Sequence, residues 1–432
     1  MLWVVLGWLE SIKFINLHNL LHFNGTEEGG GEGWYGKQYV PAFAHRARLF
    51  WDMASQGWDT TLCNGGMIWS PYLTPYKNAI TNELYIAASI SMFLYFPGDD
   101  NTSPFGLSNP PGRAHDEKYL QAAIEAYAWL KGSNMTDQKG LFVDGYHVSG
   151  WTKYPKNGTE NTKCDSRNEM VYTYNQGVLL SGQRGLYEAT AQREYLIDGH
   201  KLVADVIAAT GWDLHSQTAP DLPIDTSELG KWQGLGRSGI LEEACDAPGS
   251  CSQDGQTFKG IFFHHLTLFC EPLPSALDLP NSPFLSKQIS LDDDRQYHAN
   301  ACAKYGPWIK HNALSALNTR NSEGRFGMWW GAPPPSSVSS PFQPANPDLQ
   351  PEIPENGVDY RNSGTPDEWE MPRNHQSRGH GEFGDIEAFG GVGERDIEGG
   401  RDLNDRGRGR TVETQGGGVA VLRAAVEVAG GQ

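Results

Sequence analysis

Apolar residues recur at helical spacing in nine stretches of the chain, near residues 1–18, 40–55, 77–95, 115–132, 173–190, 193–209, 257–270, 293–317 and 411–428. The stretches alternate in character. Segments 1–18, 77–95, 173–190, 257–270 and 411–428 are rich in Gly, Ala, Ile, Leu and Phe and carry polar groups at their starts. The others, such as Asp116–Glu125, have one charged face and one apolar face. This alternation predicts an all-α fold of inner helices backed by outer ones. An (α/α)6 barrel takes about twelve helices in inner–outer pairs, so nine that end on an inner one predict about three more at the N-terminus.

Residues 333–410 break the pattern with a tract of Pro, Gly, Glu, Asp and Arg. So little apolar surface cannot offset the entropy of ordering, and a disordered insertion is expected. The chain then divides into a helical domain over 1–332, the insertion over 333–410, and a closing helix with its tail over 411–432. Gly-Arg clusters such as Arg406–Arg410 are few and interspersed with acids, which argues against RNA binding.

With 34 Lys and Arg against 52 Asp and Glu, the net charge of −18 repels nucleic acid and anionic membranes. The longest apolar run, Leu2–Leu9, is too short to span a bilayer and lacks a basic flank. The six cysteines show no zinc-ligand spacing, and Cys245 and Cys251 bracket a Pro-Gly turn suited to a local disulfide. Sequons begin at Asn24, Asn101, Asn134 and Asn157. Even cysteine count and loop sequons together predict a secreted or wall-associated protein. No metal or cofactor is expected, and His264 and His265 read as core residues.

Three segments load polar groups onto turns that lead into buried helices: Leu62–Trp69, Tyr76–Ser89 and Tyr172–Gly182. Together they resemble glycoside hydrolase family 76, the α-1,6-mannanases, whose fungal members act on mannan and cell-wall mannoprotein. The resemblance runs over most of residues 1–330 and the closing segment 411–428. It implies a monomer with a polar groove at one end of an (α/α)6 barrel, acting on α-1,6-mannan or a mannoprotein glycan. Family members carry two adjacent aspartates just before a segment that Met1–Glu10 resembles, so their counterparts belong ahead of Met1. That position implies an N-terminally truncated chain that is inactive as written. The alternatives are a mannoprotein transglycosidase and a non-catalytic mannan-binding relic.

Retaining glycoside hydrolysis needs two carboxyl groups about 5–5.5 Å apart. Glu83 and Asp144 are the in-chain acids nearest to meeting that need, though Glu83 is expected to accept from sugar hydroxyls or to pair with Lys77, and Asp144 to contact the ligand or simply to form a turn. Lys77, Asn78 and Thr81 share a helix face suited to hydroxyl contacts. Asp144-Gly145 resembles the family's turn before an inner helix. Tyr174, Asn175 and Gln176 offer donors and acceptors to a polyol. Asn64 lies in the first motif, and Trp69 is placed to stack on a sugar ring, as are Trp329 and Trp330.

Overall fold

The computed structural model describes residues 1–22, 36–104, 111–151, 161–220, 229–274, 288–333, 350–364 and 402–430. The helices fall where the apolar periodicity puts them: α1 (Leu2–His22), α2 (Val40–Ser55), α3 (Ala79–Tyr95), α4 (Glu117–Gly132), α5 (Thr173–Thr190), α6 (Glu194–Ala208), α7 (Phe258–Cys270) and α8 (Gln288–Asn318). A four-residue α9 (Tyr360–Ser363) and then α10 (Val412–Glu427) complete the set. Neighbours in space run α1, α3, α5, α7, α10, with α2, α4, α6 and α8 packed outside them. This is the inner and outer layering of an α/α barrel.

Close approach explains the small residues of the inner row. A Cβ on Gly177 of α5 would lie 2.6 Å from the Cα of Phe262 on α7, and one on Gly260 of α7 would lie 2.8 Å from the Cα of Gly417 on α10. Residues of all five helices line a cavity of about 820 Å³, whose wall includes Trp3 of α1 and Val419 of α10, 41% and 61% exposed. No helix among the described residues is long and apolar enough to cross a membrane.

Between the helices lies a small antiparallel sheet, β1 (Tyr76–Asn78), β2 (Val143–His147) and β3 (Ser166–Val171), in that order. Asp144-Gly145, expected as a turn, instead sits within β2, where Gly145 pairs with Asn78. Pairing with β1 on one side and β3 on the other extends the backbone there, and residue 145 must be glycine, since at φ +157° a Cβ would meet the Cα of Asn78 at 2.6 Å. Since β1 runs straight into α3 and β3 leads to α5, the sheet fixes the N-terminal ends of those two helices side by side.

The tract 333–410 is not uniformly without structure. Residues 350–364 and 402–410 pack against the helical body, burying Tyr360, Leu403 and Asn404, while 334–349 and 365–401 lie outside the described residues. Sparse anchors offset the low apolar content, as where Asn404 accepts from the Trp329 amide at 2.7 Å. Trp329 and Trp330 are themselves core residues, 0% and 4% exposed. All six cysteines pair, as Cys63–Cys164, Cys245–Cys251 and Cys270–Cys302. Of the sequon asparagines among the described residues, Asn101 and Asn134 are both exposed.

Candidate active site

The N-terminal ends of α3, α5 and α7 open onto a cleft of about 900 Å³ whose wall includes Trp69, Thr81, Tyr174, Asp254, Phe258 and Arg361. Each helix start is built differently. Asn78 adopts an extended backbone and caps α3, accepting from the Thr81 amide at 3.2 Å. Tyr172 at the head of α5 supplies no side-chain cap. Glu243 takes that role from outside the helix, accepting from the Thr173 amide at 2.9 Å and from the Thr173 hydroxyl. Tyr174 then stacks on Phe258 of α7 with ring centroids 3.9 Å apart.

Behind this wall lies a set of buried polar atoms without hydrogen-bond partners among the described residues: Asn78 Nδ2, both Glu83 oxygens, Asp144 Oδ1, the Tyr174 hydroxyl, both Asn175 amide atoms and Glu243 Oε2. Glu83, Asn78, Asp144 and Asn175 are each 0% exposed. Burial, with the Asp144 charge adding to it, pushes the Glu83 carboxyl well above its ordinary range. Burial also raises Tyr174, whose hydroxyl feels Arg361, Asp144, Glu83 and Glu243 together. Glu243 is pushed up to about 8 by burial, against the opposing hydrogen bond from Thr173 and the charge of Lys259. Native interiors rarely leave so many polar groups unmatched. Donors and acceptors in one recess suit a ligand that offers both, as a polyol does.

The ten residues expected at the site divide in four. Trp69, Thr81 and Tyr174 line the cleft, and Asn78, Glu83, Asp144 and Asn175 lie buried with unmatched atoms. Lys77 and Gln176 are instead satisfied by the protein. Lys77 Nζ donates to the backbone oxygens of Gly66 and Asp59 at 2.5 and 2.9 Å and pairs with the Asp59 carboxylate at 3.1 Å. Gln176 bridges the Phe142 amide and carbonyl at 2.8 and 2.9 Å, tying α5 to β2. Asn64 is exposed at φ 56°, in the turn beside the Cys63–Cys164 bridge and away from the cleft. Trp69 has one face covered by the Arg361 guanidinium, 4.8 Å from the ring centre.

Sequence reasoning missed Glu243, Tyr360 and Arg361. Tyr360 donates to Asp144 Oδ2 at 2.5 Å. The only signal for it was an aromatic–basic pair, Tyr360-Arg361, inside a tract otherwise dominated by Gly, Pro and acids. Two groupings of metal-ligand type occur among the described residues, His200 with His298 and Cys302, and Asp246 with Cys245 and Cys251. Both include disulfide sulfurs, which are poor ligands beside thiolates.

Fold and cleft together define an all-α protein of paired inner and outer helices with a polar and aromatic recess at the inner helix starts. The sequence model of glycosyl hydrolase family 76 matches residues 35–304, and the chain belongs to that family. It is 24% identical over 242 residues to the mannan endo-1,6-alpha-mannosidase DCW1 of Saccharomyces cerevisiae, covering 54% of this chain and 41% of the relative. It is 26% identical over 331 residues to the mannan endo-1,6-alpha-mannosidase DFG5 of the same yeast, covering 74% of this chain and 56% of the relative. The chain thus spans about half the length of these curated relatives. Among solved structures it is similar to the GH76A alpha-1,6-mannanase from Salegentibacter sp. HEL1_6, at 22% identity and a TM-score of 0.41, over 68% of this chain and 63% of that one.

Proposed function

We propose that the cleft is the glycan site of a mannan endo-1,6-α-mannosidase, holding α-1,6-mannan or the glycan of a wall mannoprotein. The observation that carries this reading is the set of unmatched polar atoms on Asn78, Glu83, Asp144, Tyr174 and Asn175 behind a cleft lined by aromatic rings. Membership of family 76 supplies the substrate class. Hydroxyls of a bound sugar would accept from Asn78 Nδ2, Asn175 Nδ2 and the Tyr174 hydroxyl, and donate to Asn175 Oδ1, Asp144 Oδ1 and Glu83. Each contact would satisfy a group now buried at a cost. Secretion, with a wall location, fits the three disulfides and the exposed sequons.

The buried polar atoms support binding of the glycan, and its cleavage is read separately. Titration calorimetry with α-1,6-mannotetraose, run beside chromatography of the reaction mixture, tests both parts. Saturable binding is expected. Release of mannose oligomers would move the chemistry onto Glu83 and Asp144. Equal affinity for an α-1,6-glucan oligomer would overturn the mannan reading.

A further inference from the structure

The segment 350–364 lies beyond the residues matched by the family, 35–304. It is nevertheless fastened to the site at several points. Glu169 donates its amide to the Asn356 carbonyl at 3.2 Å, and the Val358 amide donates to Asn168 Oδ1 at 2.8 Å. Tyr172 donates to Asp359 at 2.8 Å, Tyr360 reaches Asp144, and the Ser252 amide donates to Asn362 at 2.8 Å. These contacts join the segment to β3, to the heads of α5 and α7, and to the acid behind the cleft. Their combined effect is to hold Arg361 in the cleft wall.

There the Arg361 guanidinium lies 4.8 Å from the ring centre of Trp69, 4.9 Å from Tyr360 and 6.0 Å from Tyr174. Its Nε and Nη2 are buried and have no hydrogen-bond partner among the described residues. These two nitrogens occupy one edge of a planar group, and their N–H bonds form a fork that fits two neighbouring oxygens. Aromatic faces compensate part of a buried cation's cost but accept none of its hydrogen bonds in the plane. The fork is therefore built and held, with neither N–H partnered among the described residues.

Two oxygen pairs fit such a fork, an oxyanion or a vicinal diol. The surroundings favour the neutral one. Asp144, whose charge acts on Arg361, is beside it, and the whole chain carries −18. A further anion would meet repulsion from both. We propose that Arg361 is a specificity-determining residue that grips a vicinal diol of a mannosyl residue through Nε–H and Nη2–H. This rests on the reading of the cleft as an α-1,6-mannan site.

A mannosyl residue linked through its 1 and 6 positions has free hydroxyls at 2, 3 and 4, so either vicinal pair includes the 3-hydroxyl. That permits a cycle of ligand and protein changes. Calorimetry would compare α-1,6-mannotetraose with its 3-deoxy analogue on the full chain, Arg361→Ala and Arg361→Lys. We expect the tetraose to bind either variant about tenfold or more weakly than the full chain, since charge-assisted hydrogen bonds are lost. Lysine is not expected to rescue, because an ammonium lacks the fork. The 3-deoxy sugar should lose affinity for the full chain and almost none for Arg361→Ala, with thermal midpoints unchanged. Tetraose binding equal in all three proteins would overturn the assignment of Arg361 while leaving the mannan reading in place. Failure of the unaltered chain to bind the tetraose at all would overturn both. Inorganic phosphate competing with the tetraose on the unaltered chain but not on Arg361→Ala would make the fork an oxyanion site and overturn the diol.

Discussion

The Tyr360 hydroxyl donates to Oδ2 of Asp144 at 2.5 Å, joining residues 216 positions apart. Tyr76 donates to the same oxygen at 2.5 Å, while Oδ1 has no partner among the described residues. One oxygen of the carboxylate is thus held by the scaffold and the other is left for a ligand. Burial, with the Asp144 charge adding to it, pushes both phenols well above their ordinary range, so each remains a donor at any physiological pH. Segment and sheet meet at this carboxylate, which makes it the joint between the cleft wall and the interior.

Replacing Tyr360 with Phe removes one of those donors without changing the packed ring. Hydrogen bonds to charged groups contribute about 1.5–3 kcal/mol, and Tyr360→Phe should lose an amount in that range. Urea denaturation would measure it. Mannotetraose affinity should fall as well, because the segment that holds Arg361 loses an anchor. A variant as stable as the parent would show that the Tyr76 contact suffices.

Long helices were readable as sustained runs of apolar and small residues between Gly- and Pro-rich loops; segment 173–190, for example, was expected as an inner helix and coincides with α5. The sheet was not readable. β1 is only Tyr76-Lys77-Asn78 and is buried throughout, so it shows no alternation of apolar and polar positions. At the site, sequence identifies polar residues at buried helix starts but not their partners. Lys77 and Asn175 look alike in that respect, yet one donates to the backbone of Gly66 and the side chain of the other has no hydrogen-bond partner among the described residues. Glu243 was hidden for a related reason: it caps a helix that begins 70 residues earlier. Arg361 was hidden because so short an ordered segment leaves little trace in composition.

The disulfides should differ in worth according to the loops they close. Cys63–Cys164 spans 101 residues, Cys270–Cys302 spans 32 and Cys245–Cys251 spans 6. Chain-entropy arguments give about 4.7, 3.7 and 2 kcal/mol respectively. Paired Cys→Ser variants, compared by chemical denaturation, should follow that order. The long bridge also steadies the Cys63–Gly66 turn, where Trp129 donates to the Cys63 carbonyl at 3.0 Å. Reversal of the order would point to strain or residual unfolded-state structure as the larger influence.

Stability should fall as pH rises through the region near 8. Burial raises Glu243 to about 8 from an ordinary 4.5, so the folded state holds a proton that the unfolded state has released. The associated stability is complete below the unfolded value and is lost as pH climbs through the folded one. The buried histidines act in the opposite sense: burial lowers His200 to about 3 and His298 to about 4, and both cost stability only on acidification below the ordinary 6.5. Between pH 7 and 8.5 Glu243 contributes roughly 1 kcal/mol per pH unit, in the same direction as Glu83, whose carboxyl is also held well above its ordinary range by burial. Glu243→Gln should flatten the slope in that interval, as read from denaturation midpoints. A parallel slope in the variant would assign the effect elsewhere, with Glu83 the first candidate.

Asn78 and Asn175 make a contrasting pair, because both carry buried, unmatched amide atoms but only one also supports the fold. Asn78 Oδ1 caps α3 through the Thr81 amide at 3.2 Å, whereas neither side-chain atom of Asn175 has a partner among the described residues. Asn78→Ala should therefore lose about 1 kcal/mol of stability through the cap, in addition to weakening mannotetraose. Asn175→Ala should weaken the sugar by a few-fold to over tenfold, the equivalent of about 0.5–1.5 kcal/mol for a hydrogen bond. Its thermal midpoint should stay level or rise, since a buried amide without partners is costly to the empty protein. A residue whose removal improves the fold and impairs the ligand is one kept for binding. A fall in the Asn175→Ala midpoint large enough to explain the lost affinity would instead place this amide in the scaffold.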